Sequence, residues 1–339
     1  MAQRVVFPEP HRVALEEFEC DPLDRGSVRV RTEWSLISTG TEGIALHQLF
    51  APGTHWADYV RYPFTPGYAA VGTITELGDG VEDLAVGERV AARVGHASEH
   101  VVPAALCTRV PDAIAADNAC WFALAKIALM GQRAANYRIG DSVAIIGAGP
   151  VGQMSVRWAV AAGARHVVAI DGDAPRLEHA SRGGATAVVD AALPEGHDAV
   201  VAACGGSRPR VVIDCTGHAG VLQHALPLAA DRGRVVLLGD TGHPGEQRLT
   251  PDVITRGVQV HGAHDNHSMW TRRWDGDRAL HELFFELVGE DASRSTVCTR
   301  TRSRLPIARR RTRCSVARRG PRRWVCCSTG LRRRDRVTA

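Results

Sequence analysis

The 339-residue chain is 45% apolar, which excludes a wholly disordered protein and is enough to bury the cores of two domains; its formal charge is +4. No apolar run is long enough to span a bilayer, and the start, MAQRVVFPEPHRV, lacks the apolar block of a signal peptide, so a cytoplasmic protein with no membrane partner is expected. Nine cysteines without a CxxC pair read as reduced thiols, against both a disulfide scaffold and a zinc ribbon.

In chain order, residues 1–110 carry short β-branched runs punctuated by Gly and Pro, which predicts a β-rich first half. Two stretches stand out within it, WSLISTGTEG (34–43) and PGYAAVG (66–72). Residues 142–152, SVAIIGAGPVG, then predict a strand, a glycine turn and the start of a helix, the context that a GxGxxG match requires. Gly147 suits the tight turn, Gly149 lets backbone approach a pyrophosphate, and Gly152 lets helix pack on strand; Pro150 and Val151 complete the turn. The next strand, HVVAID, ends at Asp171, 19 residues beyond Gly152, where a carboxylate can accept hydrogen bonds from ribose hydroxyls and would repel a 2′-phosphate. NAD is therefore expected in preference to NADP. Further strands are predicted at VVIDCTG, RVVLLGD and VQVHGAH, separated by helical segments, so a doubly wound parallel sheet follows. Cys215, Thr216, Gly239 and His264, at or just beyond the ends of those strands, join the cofactor candidates.

From Ser293 the apolar periodicity stops. Residues 294–339 hold 16 Arg against one Asp, whereas residues 1–293 hold 25 Lys+Arg against 36 Asp+Glu, so the basic balance belongs to the tail alone. Back-translated and read one codon phase later, WVCCSTG yields an apolar-Gly-apolar-Leu-apolar run, given a TCN codon for Ser328. One Lys against 40 Arg fits a GC-rich gene, and the tail is read as a shifted coding frame in preference to an arginine-rich nucleic-acid arm. It receives no function, and nucleic acid is not an expected partner.

The pattern TPGYAAVGTITELGDGVEDLAVGERVAARV, followed by PDAIAADNACWFALA and the glycine turn, resembles the medium-chain dehydrogenase/reductase superfamily over residues 1 to about 291. The S-T-G-T-E and P-G-Y combination is similar to a branch that includes bacteriochlorophyllide hydroxyethyl dehydrogenase. The resemblance implies a GroES-like catalytic domain at 1–118, a Rossmann NAD-binding domain at 119–265, a return to the catalytic domain at 266–292, the tail at 293–339, and a homodimer joined through Rossmann sheets. It also implies a cleft between the domains in which zinc-using members hold their metal. Here Thr39 takes the position of the first ligand, Gly67-Tyr68-Ala69 replaces the triplet that carries the second, and Phe122 falls near the third. None is a good zinc ligand. Cys120, His96, His100, His261, His264 and His267 show no ligand spacing, so no zinc is expected.

Without a Lewis acid, hydrogen-bond donors must stabilise the oxygen that gains charge during hydride transfer. By the resemblance, Tyr68 offers either a phenol in the cleft or a packed aromatic, and Thr41 matches a family hydroxyl that relays a proton, although the usual relay histidine is replaced by Ile44. Lys126, the single lysine, either polarises a carbonyl or protonates an enolate, or else snorkels to the surface. Glu42 follows the family acid that braces the metal and is expected to pair with Lys126 or orient water. His264 and Asp265 lie near the expected nicotinamide pocket. The expectation is a zinc-independent, NAD(P)-linked oxidoreductase of a small metabolite, leaning to reduction of an enone C=C of cyclitol- or sugar-like character. The alternatives are an alcohol/ketone dehydrogenase of the bacteriochlorophyllide type and a non-catalytic nucleotide-binding protein whose tail contacts RNA.

Overall fold

The computed structural model describes residues 1–192, 196–265 and 277–297. The chain opens with an antiparallel ribbon, β1 (Ala2–Val6) and β2 (Ala14–Phe18). β3 (Ser27–Ser35) leads through α1 (Thr39–His47) and α2 (His55–Tyr59) to β4 (Ala70–Leu77), β5 (Arg89–Ala92), β6 (Glu99–Pro103) and β7 (Thr108–Arg109). These five strands form an antiparallel sheet in the order β6-β3-β4-β5-β7. After α3 (Ala116–Ala119) and α4 (Phe122–Ala135), strands and helices alternate: β8 (Ser142–Ile146), α5 (Pro150–Ala161), β9 (His166–Asp171), α6 (Ala174–Arg182), β10 (Ala187–Asp190) and α7 (Gly196–Ala203). β11 (Val211–Asp214), α8 (Leu222–Leu228), β12 (Arg234–Leu237), α9 (Asp252–Thr255) and β13 (Gln259–Gly262) follow, and α10 (Asp277–Val297) closes the described chain.

The six later strands are parallel, in the order β10-β9-β8-β11-β12-β13. Strand order reverses between β8 and β11, so a crevice opens beyond their carboxyl ends, the place where open α/β sheets bind nucleotides. Both faces of this sheet are covered, which explains the near-continuous apolar text of its strands. Val143 and Ile145 of β8 pack on one face with Val156 and Ala159 of α5, whereas Ala144 faces Leu222, Ala225 and Leu226 of α8 on the other. The antiparallel sheet has its own core of Val28, Val30, Ile74, Val90 and Val102. The expected β-rich first half and doubly wound sheet are thus both present.

A third core joins the two sheets. Leu36 and Val71 from the antiparallel side meet Phe122 and Leu124 of α4 and Leu280, Phe284 and Phe285 of α10. Each such buried side chain contributes about 1.5–3 kcal/mol of transfer free energy, enough in sum to fix the cleft between the sheets. α10 runs to Val297, past the boundary expected at 292. Residues 298–339, which carry the reading-frame inference, lie outside the described residues, as do residues 266–276 with His267.

Candidate active site

The glycine turn joins β8 to α5 as the spacing requires. Gly147 has φ +89°, a region that costs a side-chain-bearing residue energy, and a Cβ there would meet Thr216 Cγ2 at 2.8 Å. At Gly152 a Cβ would fall 1.8 Å from the Gly147 carbonyl oxygen, so only glycine lets the helix sit this close to the strand. Around Gly149 nothing lies within 4 Å of an added Cβ, which leaves open space where a phosphate would approach. α5 begins at Pro150, and the amides of its first turn have no acceptor within the helix.

Asp171 ends β9 with its carboxylate already ordered: Oδ2 accepts from the Ala148 amide at 2.7 Å and Oδ1 from the Asp173 amide at 2.9 Å. Each oxygen keeps one lone pair for a ribose hydroxyl. The Arg176 guanidinium lies 3.7 Å from Oδ2. On the other side of the crevice, the Thr216 amide and hydroxyl both donate to Asp214 Oδ1, at 2.8 and 2.7 Å, and burial raises the Asp214 carboxyl. Cys215 sits 3.6 Å from Ser155 Oγ, and burial pushes its thiol up to about 12, so it is an inert thiol of the crevice wall. A Cβ on Gly239 would strike the Gly217 amide nitrogen at 2.3 Å. The cofactor candidates therefore divide into close-packed turn glycines (Gly147, Gly152, Gly239), the turn residues Pro150 and Val151 beside open Gly149, and polar groups at strand ends. The residues present fit a dinucleotide.

A cavity of about 340 Å³, within the range that small-molecule sites occupy, continues from the crevice along the ends of β12 and β13. Gly239, Asp240, Thr241 and His264 line one side, and His55 of α2 reaches in from the other. His55 Nε2 lies 2.7 Å from Asp240 Oδ2, a contact that spans the two sheets. His264, which is exposed, lines this cavity.

The antiparallel side supplies a cluster of hydroxyls. Ser38 is the N-cap of α1, yet its side chain caps nothing; its oxygen instead accepts a 2.6 Å hydrogen bond from the Tyr68 phenol. The Thr41 hydroxyl also bonds the phenol, and burial, the larger influence, raises Tyr68 above its ordinary value. The Ser38 amide is taken by Glu42 Oε1 at 2.7 Å, the reach-back half of a capping box displaced by one residue. Glu42 Oε2 meets His96 Nε2 at 2.9 Å, and His96 Nδ1 meets Ser35 Oγ at 2.9 Å. Glu42 and His96 are 6% and 4% exposed, and removing one partner of so buried a pair costs about 3–5 kcal/mol.

The expected pairing of Glu42 with Lys126 does not form. Lys126, 2% exposed, points instead to the last strand: Nζ lies 2.7 Å from Asp265 Oδ1, 2.8 Å from the Asp265 carbonyl oxygen and 3.0 Å from Asp277 Oδ1. The Asp265 carbonyl takes a hydrogen bond from the ammonium, and the Asp265 and Asp277 carboxylates pair with it by charge. Asp265 Oδ2 also pairs with Arg93 Nη1 at 2.6 Å, and Arg93 stacks over the Tyr68 ring at 5.1 Å. The chain Tyr68–Arg93–Asp265–Lys126 thereby sets the hydroxyl cluster against the end of β13. Arg93 and Ser38 had no role in the sequence reading and His96 was weighed there only as a metal ligand; the link from Glu42 to His96 spans 54 residues, for which no local pattern exists.

The residues around this cluster do not fit a catalytic zinc. Glu42 and His96 each hold a second partner, Phe122 is fully buried against His281 at 4.6 Å between ring centroids, and no group of three His, Cys, Asp or Glu suited to a metal occurs among the described residues.

Residues 24–123 match the profile of the alcohol dehydrogenase GroES-like domain, and residues 150–275 match that of the zinc-binding dehydrogenases. The chain is 30% identical over 246 residues to the D-guloside 3-dehydrogenase of Escherichia coli (strain K12), covering 66% of this chain and 69% of that one. It is 28% identical over 268 residues to the sorbitol dehydrogenase of Rattus norvegicus, covering 69% and 74%. The crystal structure of 2R,3R-butanediol dehydrogenase from Bacillus subtilis has the same fold, with a TM-score of 0.68 at 20% identity over 84% of this chain and 88% of that one. The chain belongs to the medium-chain dehydrogenase/reductase superfamily. Within it, the protein is an NAD(P)-dependent oxidoreductase.

Proposed function

We propose that the protein is a zinc-independent, NAD-linked dehydrogenase of the secondary alcohol/ketone pair of a small polyhydroxylated metabolite, with Tyr68 as the proton-bearing group beside the reacting oxygen. The observation that carries this reading is the 2.6 Å bond from the Tyr68 phenol to Ser38 Oγ, which joins two hydroxyls where the superfamily resemblance places a metal. The nicotinamide supplies or accepts the hydride. In the reducing direction the carbonyl carbon gains that hydride and its oxygen gains a proton from the cluster; Tyr68, neutral because burial raises it, donates, and the Ser38 and Thr41 hydroxyls bonded to it stabilise the phenolate left behind. Asp171 supports NAD, since a carboxylate at the end of this strand would accept from ribose hydroxyls and repel a 2′-phosphate. The polyhydroxylated class is supported by the two relatives named for a guloside and for sorbitol.

Reduction of an enone C=C is the second reading, favoured by the same neutral phenol, which would serve an enolate oxygen equally well. It ranks lower because Lys126, the group that could have protonated the enolate carbon, is held by Asp265 and Asp277. The assay follows cofactor reduction with polyols and cofactor oxidation with ketones and cyclic enones; turnover of enones alone would reverse the order. Metal analysis of the purified protein tests zinc independence, and one tightly bound zinc per chain would overturn it. A homodimer through the edge strand β13, on whose outer side the described residues place no strand and where Val260 is 36% exposed, completes the proposal; light scattering that gives a monomer would remove it.

A further inference from the structure

We infer that the buried Glu42–His96 pair is a positioning unit for the hydride-transfer site, fixing Ser38 and through it the Tyr68 phenol in the orientation that meets the substrate oxygen. The inference rests on the proposed role of Tyr68. A carboxylate oxygen accepts, so His96 must donate through Nε2, and Nδ1 then accepts from Ser35 Oγ when the ring is neutral or donates to it when the ring is charged. Glu42 uses its other oxygen on the Ser38 amide. The carboxylate is thus held from two sides, by the Ser38 amide at the start of α1 and by His96 of the loop before β6, whose ring is in turn anchored to Ser35 at the end of β3.

Two details show that the arrangement is built for this pair. Ser38 stands at an N-cap, where its hydroxyl would ordinarily bond an amide of α1; Glu42 satisfies the Ser38 amide instead, and the hydroxyl turns to Tyr68. Gly67, directly before Tyr68, has φ +99°, and a Cβ there would lie 2.7 Å from the His96 amide nitrogen and 2.8 Å from its ring. The Pro66-Gly67-Tyr68 turn therefore makes room for the imidazole and aims the phenol at the serine that the imidazole's partner holds. The charged and polar groups that face Tyr68 are Arg93, Glu42, Ser38 and Thr41.

The test uses the full-length protein with Glu42→Gln, His96→Phe and His96→Gln, the last because a glutamine amide can place an N–H donor near the imidazole Nε2. His96→Phe and Glu42→Gln are expected to lower kcat roughly 10- to 100-fold while leaving KM for NAD in place, and His96→Gln to recover most of the loss. Full kcat in His96→Phe, or equal losses in His96→Phe and His96→Gln, would overturn the inference. A second readout needs neither substrate nor a folded His96→Phe protein. In ring-labelled tyrosine NMR, with Tyr68 assigned by Tyr68→Phe, the Tyr68 phenol is expected to ionise at higher pH in Glu42→Gln than in the wild type, because the Ser38 bond that lowers it is lost and outweighs the lost Glu42 charge that raises it. An unchanged or lowered titration would overturn the inference. Because that readout is independent of turnover, a wild type inactive on every alcohol, ketone and enone would count against the proposed function alone.

Discussion

Replacing Tyr68 by Phe removes the phenol while keeping the ring under Arg93, so the change isolates a proton and a hydrogen bond. A lost donor of this kind lowers kcat by roughly 100-fold, and cofactor binding is expected to stay unchanged in a fluorescence titration because the ring itself is kept. The pH profile adds a sign. Burial raises the phenol, so reduction should be flat through neutral pH and fall as pH rises through that raised ionisation, and the alkaline limb should vanish in Tyr68→Phe. Asp171→Ser tests the other end of the cleft. With the carboxylate gone, Arg176 loses the anion 3.7 Å away and is available to a 2′-phosphate; the ratio of kcat/KM for NADP over NAD is expected to rise by roughly 10-fold or more. A ratio that does not move would mean that Asp171 does not select the cofactor.

At the scale of elements, the β8–turn–α5 unit invites a paired measurement. Gly152→Ala places a methyl 1.8 Å from a backbone oxygen that cannot give way, so thermal melting should show strong destabilisation. Gly149→Ala meets nothing within 4 Å and needs no unusual φ; this variant should melt like the wild type yet bind NAD more weakly, because the methyl enters the space a phosphate would use. The two outcomes exchanged would refute the assignment of the turn. This unit was legible in the sequence because all its information lies within eleven consecutive residues, and HVVAID, VVIDC, RVVLLG and VQVHG announced β9 and β11 to β13 for the same reason: strands covered on both faces read as apolar runs. The hydroxyl cluster was only half legible. Thr41 and Glu42 were noticed as sequence neighbours of a vacant ligand position, but the partner of Glu42 comes from a loop preceding an antiparallel strand, and pairing over that distance leaves no periodic trace. The partners of Lys126 were not legible for a related reason. Helical spacing put it on α4 near the cofactor, but where its ammonium points is decided by Asp265 and Asp277, which follow β13 and open α10.

For the molecule as a whole, two largely buried imidazoles, His100 of the antiparallel sheet and His281 of the third core, are held well below their ordinary value and make the fold sensitive to acid. His281 of α10 packs edge-on against Phe122 of α4 and bonds Thr108 of β7, where burial lowers its imidazole from an ordinary 6.5 to about 4. A base whose folded value is depressed contributes its full stability above the ordinary value, loses it as pH falls through the window from 6.5 to about 4, and changes nothing further below. The shift corresponds to stability on the order of 3 kcal/mol, so denaturant midpoints should fall across that window and fall less in His281→Leu; equal slopes would place the acid sensitivity elsewhere. The same junction has a practical consequence. The chain has a single lysine, and its ammonium is sealed beneath Asp265 and Asp277 at 2% exposure. Acylating reagents and amine cross-linkers are therefore expected to spare the Lys126 side chain in the folded protein, so that its labelling reports the opening of this junction.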